Sequence, residues 1–242
     1  PRCKSNCYDM GVRVPLAIRW GKHVQAGKRI KEFVSLIDLA PTFLAAAKIT
    51  IPDEMTGRSL WPLLRGDALS EQEAVAREHV IFGKERHVPC RPDHSGYPTR
   101  GIRTARWASL RNLEPSRWPV GNPPLFGDTD PARSIGKGTT KGYLLTHKDD
   151  EAVQRSYELC FGMRPLEELY DMAKDPDQLH NLAGRPEHQE VMDNLWAQLR
   201  GELVATKDPR VIGGGEKFDR YPHYGGSAWR PAPNPGKPGK KK

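Results

Sequence analysis

Lys84, Glu85, Arg86 and His87 stand in a row in "GKERH", directly after "HVIF", a run with the look of a strand. Loops that leave strands are where binding residues collect, and two cations beside a protonatable imidazole make a basic, histidine-containing pocket. The remaining motifs are mostly exclusions. The eight histidines form no H-E-x-x-H or similar metal pattern. "GKGTTKG" near Gly136 lacks the spacing of a phosphate-binding loop and reads as a flexible connection. Neither a nucleophile elbow nor a pair of carboxylates at a revealing spacing is present. Cys3, Cys7, Cys90 and Cys160 make no C-x-x-C pair, so neither a zinc ribbon nor a dense disulfide framework is expected.

These residues need a scaffold, and 242 residues are enough to bury one. With 37% hydrophobic residues, 23 Gly and 22 Pro, a loop-rich α/β structure is expected. "VRVPLAIRWG" places Val14, Leu16, Ile18 and Trp20 on one face at period two, predicting a strand that ends at Gly21. "FVSLIDLAPTFLAAAKI" changes to helical spacing at Leu36, Leu39, Ala40, Phe43, Leu44 and Ala47, with Asp38 as N-cap and Pro41 in the first turn. That helix is expected to pack on a sheet. "HVIFGKERH" and "GIRTARWASLRN" predict short strands. From Leu113 to Lys141 a Pro/Gly/Asp-rich excursion is long enough to suggest function. "EELYDMAKDPDQLHNLAG" predicts a strand end, an Asp-Pro turn and the entry to a last helix, whose apolar stripe is Val191, Met192, Leu195, Trp196, Leu199 and Leu203.

The formal charge of +8 is concentrated at one end: from Lys217 to Lys242 there are seven Lys/Arg and one Asp, leaving only +2 for the rest. That segment is too poor in apolar residues to offset the entropy of ordering. With no recognition-helix or stacking-aromatic pattern either, a nucleic-acid partner is not expected. No apolar run reaches the roughly 18–20 residues that span a bilayer. Nothing in the sequence indicates an oligomeric state.

Several segments, in order, resemble the C-terminal part of a sulfatase of the alkaline-phosphatase-like superfamily. "KSNCYDMGVRVP" is similar to the family's Lys-x-x-x-Tyr-(Asp/Glu)-x-Gly-x-Arg-x-Pro segment. "SLIDLAPTFLAAAKITIP" with "GRSLWPLLRG" resembles its Asp-x-x-Pro-Thr helix and the Gly-x-Ser-Leu turn after it. "ELYDMAKDPDQLHNLAG" resembles its closing signature. The middle looks closest to the N-sulphoglucosamine sulphohydrolase (sulfamidase-like) branch. "CRPDHSG" starts like the family's modified Cys-x-Pro nucleophile, but His94 stands where that motif needs an arginine.

The resemblance implies an α/β fold with a small antiparallel sheet and a packed C-terminal helix. Residues 1–70 would end the catalytic α/β domain, 71–215 would form the C-terminal subdomain, and 216–242 would be a disordered basic tail. It implies hydrolysis of a sulfate ester or sulfamate, on a sulfated small molecule or glycan, by a hydrated formylglycine beside a divalent cation, calcium by family habit. Formylglycine and the metal ligands are expected in a missing N-terminal part, so the chain alone is expected to be inactive, with no metal ligand of its own. Within this chain Lys4 would contact the sulfate, and His87 would assist the leaving group or hold the sulfate. Arg86 would line the substrate pocket. Arg13 is expected to close an ion pair near the strand and is also a candidate substrate contact. Tyr8, Asp9, Gly11, Tyr170 and Asp171 would be structural. Family habit points to a periplasmic, secreted or lysosome-like location. The competing reading is a non-catalytic binder of sulfated polyanions that uses the same basic pocket and the Lys-rich end.

Overall fold

Four short antiparallel strands carry the pocket: β1 (His79–Lys84), β2 (Thr99–Thr104), β3 (Trp107–Asn112) and β4 (Glu167–Asp171), in the spatial order β1-β2-β3-β4. This computed structural model describes residues 2–91, 93–130 and 138–224. Register alone sorts the side chains to two faces. Ile81, Ile102, Ser109 and Leu169 align across the sheet and lie on one face, while Phe82, Ala108, Leu110 and Tyr170 fall on the other.

The first face takes the last long helix, Gln189–Ala205, labelled α7 for its place in chain order. Met192, Leu195, Leu199 and Leu203 recur at helical spacing and bury against Ile102 and Leu169, with Val191 and Trp196 at the margin. Each such side chain contributes about 2 kcal/mol of burial. The second face takes the N-terminal segment: Cys7 and Tyr8 pack on Ala108, Leu110 and Tyr170. The sheet is therefore what fixes residues near Lys4 relative to β1.

The amino-terminal third is irregular. α1 (Asp9–Val12) is one turn; α2 (Leu39–Ala46), α3 (Trp61–Arg65) and α4 (Glu71–Val75) follow. The predicted strand over Val14–Trp20 does not form. Val14 and Leu16 are more than 40% exposed, and only Ile18 joins the cluster around Leu60, Leu63 and Leu64. An alternating pattern specifies a face but not a backbone partner. Pro15 has no N–H to offer, and among the described residues no strand runs alongside.

The predicted helix does form, as α2 preceded by a 3-10 turn over Leu36–Asp38. Among the described residues it packs beside α3 and not on the four-stranded sheet. Leu36 and Phe43 are exposed, while Pro41 and Thr42 are buried and Leu39 packs toward α3. Polar anchoring decides this orientation. The Asp38 carboxylate accepts from Ser35 N and Arg58 N and pairs with the buried Arg77 at 3.3 Å, and Thr42 Oγ1 accepts from Leu60 N at 2.7 Å.

Two helices arise where no helical pattern was read, α5 (Thr140–Thr146) and α6 (Glu151–Phe161). With Val120 and Phe126 from the long excursion they enclose a separate core of Leu144, Val153, Cys160 and Phe161. Beyond α7, α8 (Pro209–Ile212) and α9 (Lys217–Arg220) follow. Asp219 of α9 accepts from Gly96 N at 2.8 Å and pairs with Arg117 at 3.1 Å, so the described chain stays tied to the body into the segment read as tail. The disorder expected for 225–242 lies outside the described residues.

All four cysteines are free. Burial pushes the thiols of Cys7 and Cys90 up to about 11 from an ordinary 9.0. A thiol whose folded pKa is raised keeps its proton longer in the folded state, so its stabilisation is complete below pH 9 and is lost as pH climbs through 11. Lys141, whose pKa is pulled down to about 8, acts in the opposite sense over the same window, so the thiol contribution is read by difference. Between pH 8 and 11 urea unfolding is expected to show the native protein losing at most about 2–3 kcal/mol more stability per thiol than the variant lacking it. Cys7→Ala and Cys90→Ala should each shift the pH dependence upward relative to the native protein, and an unchanged dependence in both would refute this origin.

Candidate active site

The turn that carries Lys4 is set by the residues behind it. Tyr8 is buried on the sheet, its hydroxyl donating to Glu168 Oε2 at 2.9 Å, while the Arg2 guanidinium lies 3.6 Å from its ring centre. Arg164, also buried, donates to Asn6 Oδ1 at 2.7 Å, and Asn6 Nδ2 donates to the Lys4 carbonyl at 3.0 Å. Asp9 takes Gln178 Oε1 on its amide and Arg103 on its carboxylate. Gly11 permits the closing turn: a Cβ there would sit 2.2 Å from the carbonyl oxygens of both Cys3 and Asn6. Ser5 adopts φ of +63°, and the Lys4 side chain is left exposed with no hydrogen bond or ion pair among the described residues.

Lys84 and His87, at and just beyond the end of β1, meet this turn. Lys84 Nζ donates to Ser5 O at 2.7 Å and to Asp128 Oδ2 at 3.0 Å. His87 Nδ1 lies 2.9 Å from Ser5 Oγ, 3.2 Å from Asp128 O and 3.3 Å from Asp128 Oδ1. The imidazole is 42% exposed and the carboxylate only 3%. The fold thus brings the backbone beside Lys4 and His87 into one corner, although the two are 83 positions apart in sequence.

Arg86 and Arg13 take different places. Arg86 donates to the carbonyls of His94, Asp219 and Tyr221, fastening the chain around α9 to the loop after β1. Arg13 projects into solvent, with Asp9 at 3.7 Å as its ion-pair partner. Between these residues Glu85 turns inward to Arg100 and Arg210, both at 2.7 Å, and Asp208 engages Arg100 at 2.6 Å. Residues 84–87 therefore divide by role: Lys84 and His87 face the corner, while Glu85 and Arg86 brace it.

Reading the sequence missed Ser5, Asp128 and Lys141. Asp128 lies in the long excursion, whose length was the one available signal. Lys141 is buried, and its ammonium donates to the carbonyls of Phe126, Thr129 and Asp130 at 2.7–3.0 Å, bracketing Asp128. Burial pulls its pKa down to about 8, against the opposing charges of Asp130, Cys90 and Asp128.

The corner holds a half-exposed imidazole beside a neutralised Lys84–Asp128 pair, next to the turn that carries the exposed Lys4, a set of cationic groups suited to a small, highly charged anion. Among the described residues no group of three or more His, Cys, Asp or Glu side chains could hold a metal ion.

Residues 3–117 match the family model described as N-sulphoglucosamine sulphohydrolase, C-terminal. An ulvan-active sulfatase of Formosa agariphila is 26% identical over 203 residues, covering 81% of this chain and 35% of its own length. The N-sulphoglucosamine sulphohydrolase of Homo sapiens is 26% identical over 226 residues, covering 87% of this chain and 40% of its own. A solved structure in complex with its substrate, D-glucosamine-2-N,6-O-disulfate, aligns with 79% of this chain and 28% of its own at 21% identity and a TM-score of 0.47. The chain thus spans well under half the length of the relatives it matches.

Proposed function

Since this chain is a sulfatase-family sequence corresponding to the C-terminal part of its relatives, we propose that it supplies the sulfate-contacting and substrate-pocket side chains of a hydrolase acting on sulfate esters or sulfamates of a sulfated sugar. The single observation that carries this reading is the corner itself: the turn of Lys4, in the family's Lys-x-x-x-Tyr segment, hydrogen-bonds through Ser5 to His87.

In this reading Lys4 offers a compact ammonium to the sulfuryl oxygens, an anion without a preferred plane. His87 holds a proton at its outward nitrogen for the leaving oxygen or nitrogen. Arg86 and Arg13 enter as outer members of the pocket, Arg86 through the loop that it braces and Arg13 from the solvent-exposed rim. The formylglycine nucleophile and the divalent cation, calcium by family habit, belong to the proposal for the whole protein. When present they would supply the attacking oxygen and charge neutralisation, and neither has a counterpart among the described residues. Export to a periplasmic, extracellular or lysosome-like compartment is part of the same proposal. No helix among the described residues is long and apolar enough to cross a membrane.

The test is sulfate release from a chromogenic aryl sulfate and from an N-sulfated glucosaminide. It is run with this chain alone and with a longer protein containing it, co-expressed with a formylglycine-generating enzyme. Activity is expected only in the longer protein, reduced about a hundredfold by Lys4→Ala, the scale for one lost anion-stabilising donor. Silence of the longer protein despite verified formylglycine would overturn the reading.

A further inference from the structure

His87 Nδ1 is surrounded by oxygen: Ser5 Oγ at 2.9 Å, Asp128 O at 3.2 Å and Asp128 Oδ1 at 3.3 Å. A carbonyl and a carboxylate can only accept, whereas a hydroxyl can turn either way. Both acceptors that cannot adapt belong to Asp128. Oδ1 lies off the N–H axis and makes no hydrogen bond, so its part is a charge placed against a donor, while the main-chain carbonyl takes the bond. Nε2 has no partner among the described residues, and the ring is 42% exposed.

Asp128 is itself held on every side. Its Oδ2 is occupied by Lys84, which is anchored in turn on Ser5 O. Its main chain sits in a turn where Phe126 and Asp130 take φ of +44° and +56°, a conformation unfavourable for residues other than glycine. The buried ammonium of Lys141 clamps the carbonyls of Phe126, Thr129 and Asp130 around it. Such outlay on one aspartate, which is 3% exposed, calls for a role beyond filling space.

We propose that Asp128 is the positioning residue of His87: its carbonyl and carboxylate hold the imidazole as the Nδ1–H tautomer, leaving Nε2 as the nitrogen that meets the substrate. This rests on the reading of His87 as a pocket residue. Nε2 is then the atom that accepts when the ring is neutral and donates to a sulfuryl or leaving-group atom when it is charged. The groups around the ring are Ser5 with the neighbouring Lys4 from the N-terminal turn, Lys84 from β1, and Asp128 backed by Lys141.

The test is independent of turnover. The full chain is labelled with 15N-histidine and its rings are followed by long-range 1H–15N correlation at a pH where they are neutral, His87 being identified by its loss in His87→Gln. The expected state is Nδ1–H with a bare Nε2, and finding Nε2–H would overturn the proposal. Ser5→Ala is expected to leave the tautomer unchanged, and a switch there would assign the role to Ser5. In Asp128→Asn, Lys84 claims the amide oxygen and the NH2 faces Nδ1. With the facing negative charge replaced by a facing donor, the tautomer ratio should therefore move toward Nε2–H, by about tenfold. An unmoved ratio would overturn the carboxylate's part. Since none of these signals needs sulfate release, failure here and failure of the sulfatase reading remain distinguishable.

Discussion

Glu168→Ala is expected to lower the free energy of unfolding by about 3–5 kcal/mol, the scale for breaking up a buried charged network. The carboxylate is 2% exposed, receives Asn112 Nδ2 at 2.7 Å on one oxygen, and takes the hydroxyls of Tyr8 and Tyr170 on the other. Burial, with the neighbouring Glu168 charge, pushes Tyr8 up to about 12 and Tyr170 further, so both stay protonated donors at ordinary pH. Removing the acceptor leaves two phenols unsatisfied inside the sheet face, leaves Asn112 Nδ2 with the Pro165 carbonyl as its remaining acceptor, and deprives the buried Arg164 of a counter-charge. Urea unfolding at neutral pH measures the cost. Glu168→Gln, which keeps the shape and one carbonyl acceptor, should lose roughly half as much. A loss below about 1 kcal/mol for the alanine variant would mean that the network is not coupled to folding. Because Arg164 also holds Asn6, the damage should extend to the Lys4 turn.

Gly11→Ala should damage the same turn from its other side. Its Cβ would approach two main-chain oxygens, Cys3 O and Asn6 O, to 2.2 Å, and neither can swing aside as a side-chain tip would. Either α1 lifts off the turn or residues 3–6 move. We expect a cost of about 3 kcal/mol, at the upper end of overpacking penalties, read as a lowered urea midpoint. Hydrogen exchange should show the amides of Asn6 and Gly11, which bond to Cys3 O and Tyr8 O, losing protection before those of α7. Unchanged protection at these two amides would show that the turn accommodates a methyl group. In a longer, active protein the same variant should weaken substrate turnover through Lys4, without altering any side chain proposed to touch the substrate.

The strands and the last helix were legible because both express local rules. Ile81, Ile102, Leu110 and Leu169 sit in short segments bounded by turns, and the stripe from Val191 to Leu203 has helical period. The Val14–Trp20 run shows where that legibility ends: alternation was read correctly, yet pairing is a property of two segments and cannot be read from one. Likewise α2 was visible as a helix, but its buried side was chosen by Asp38, Thr42 and Arg77, residues whose partners lie 18 to 39 positions away.

For the site, the sequence by itself determined residue types and two local groupings: a lysine in a tyrosine- and glycine-bearing turn, and a histidine just past a strand. Tertiary structure alone decided that these meet through Ser5. It also decided that Arg86 braces a loop while Lys84 faces the corner, and that Asp128 and Lys141 stand behind His87. The physical reason is that the strength of a hydrogen bond or ion pair depends on distance and burial, and both are set by the sheet that carries β1 on one strand and Tyr8 against its face. No local pattern in the chain encodes a contact between residues 5, 87 and 128.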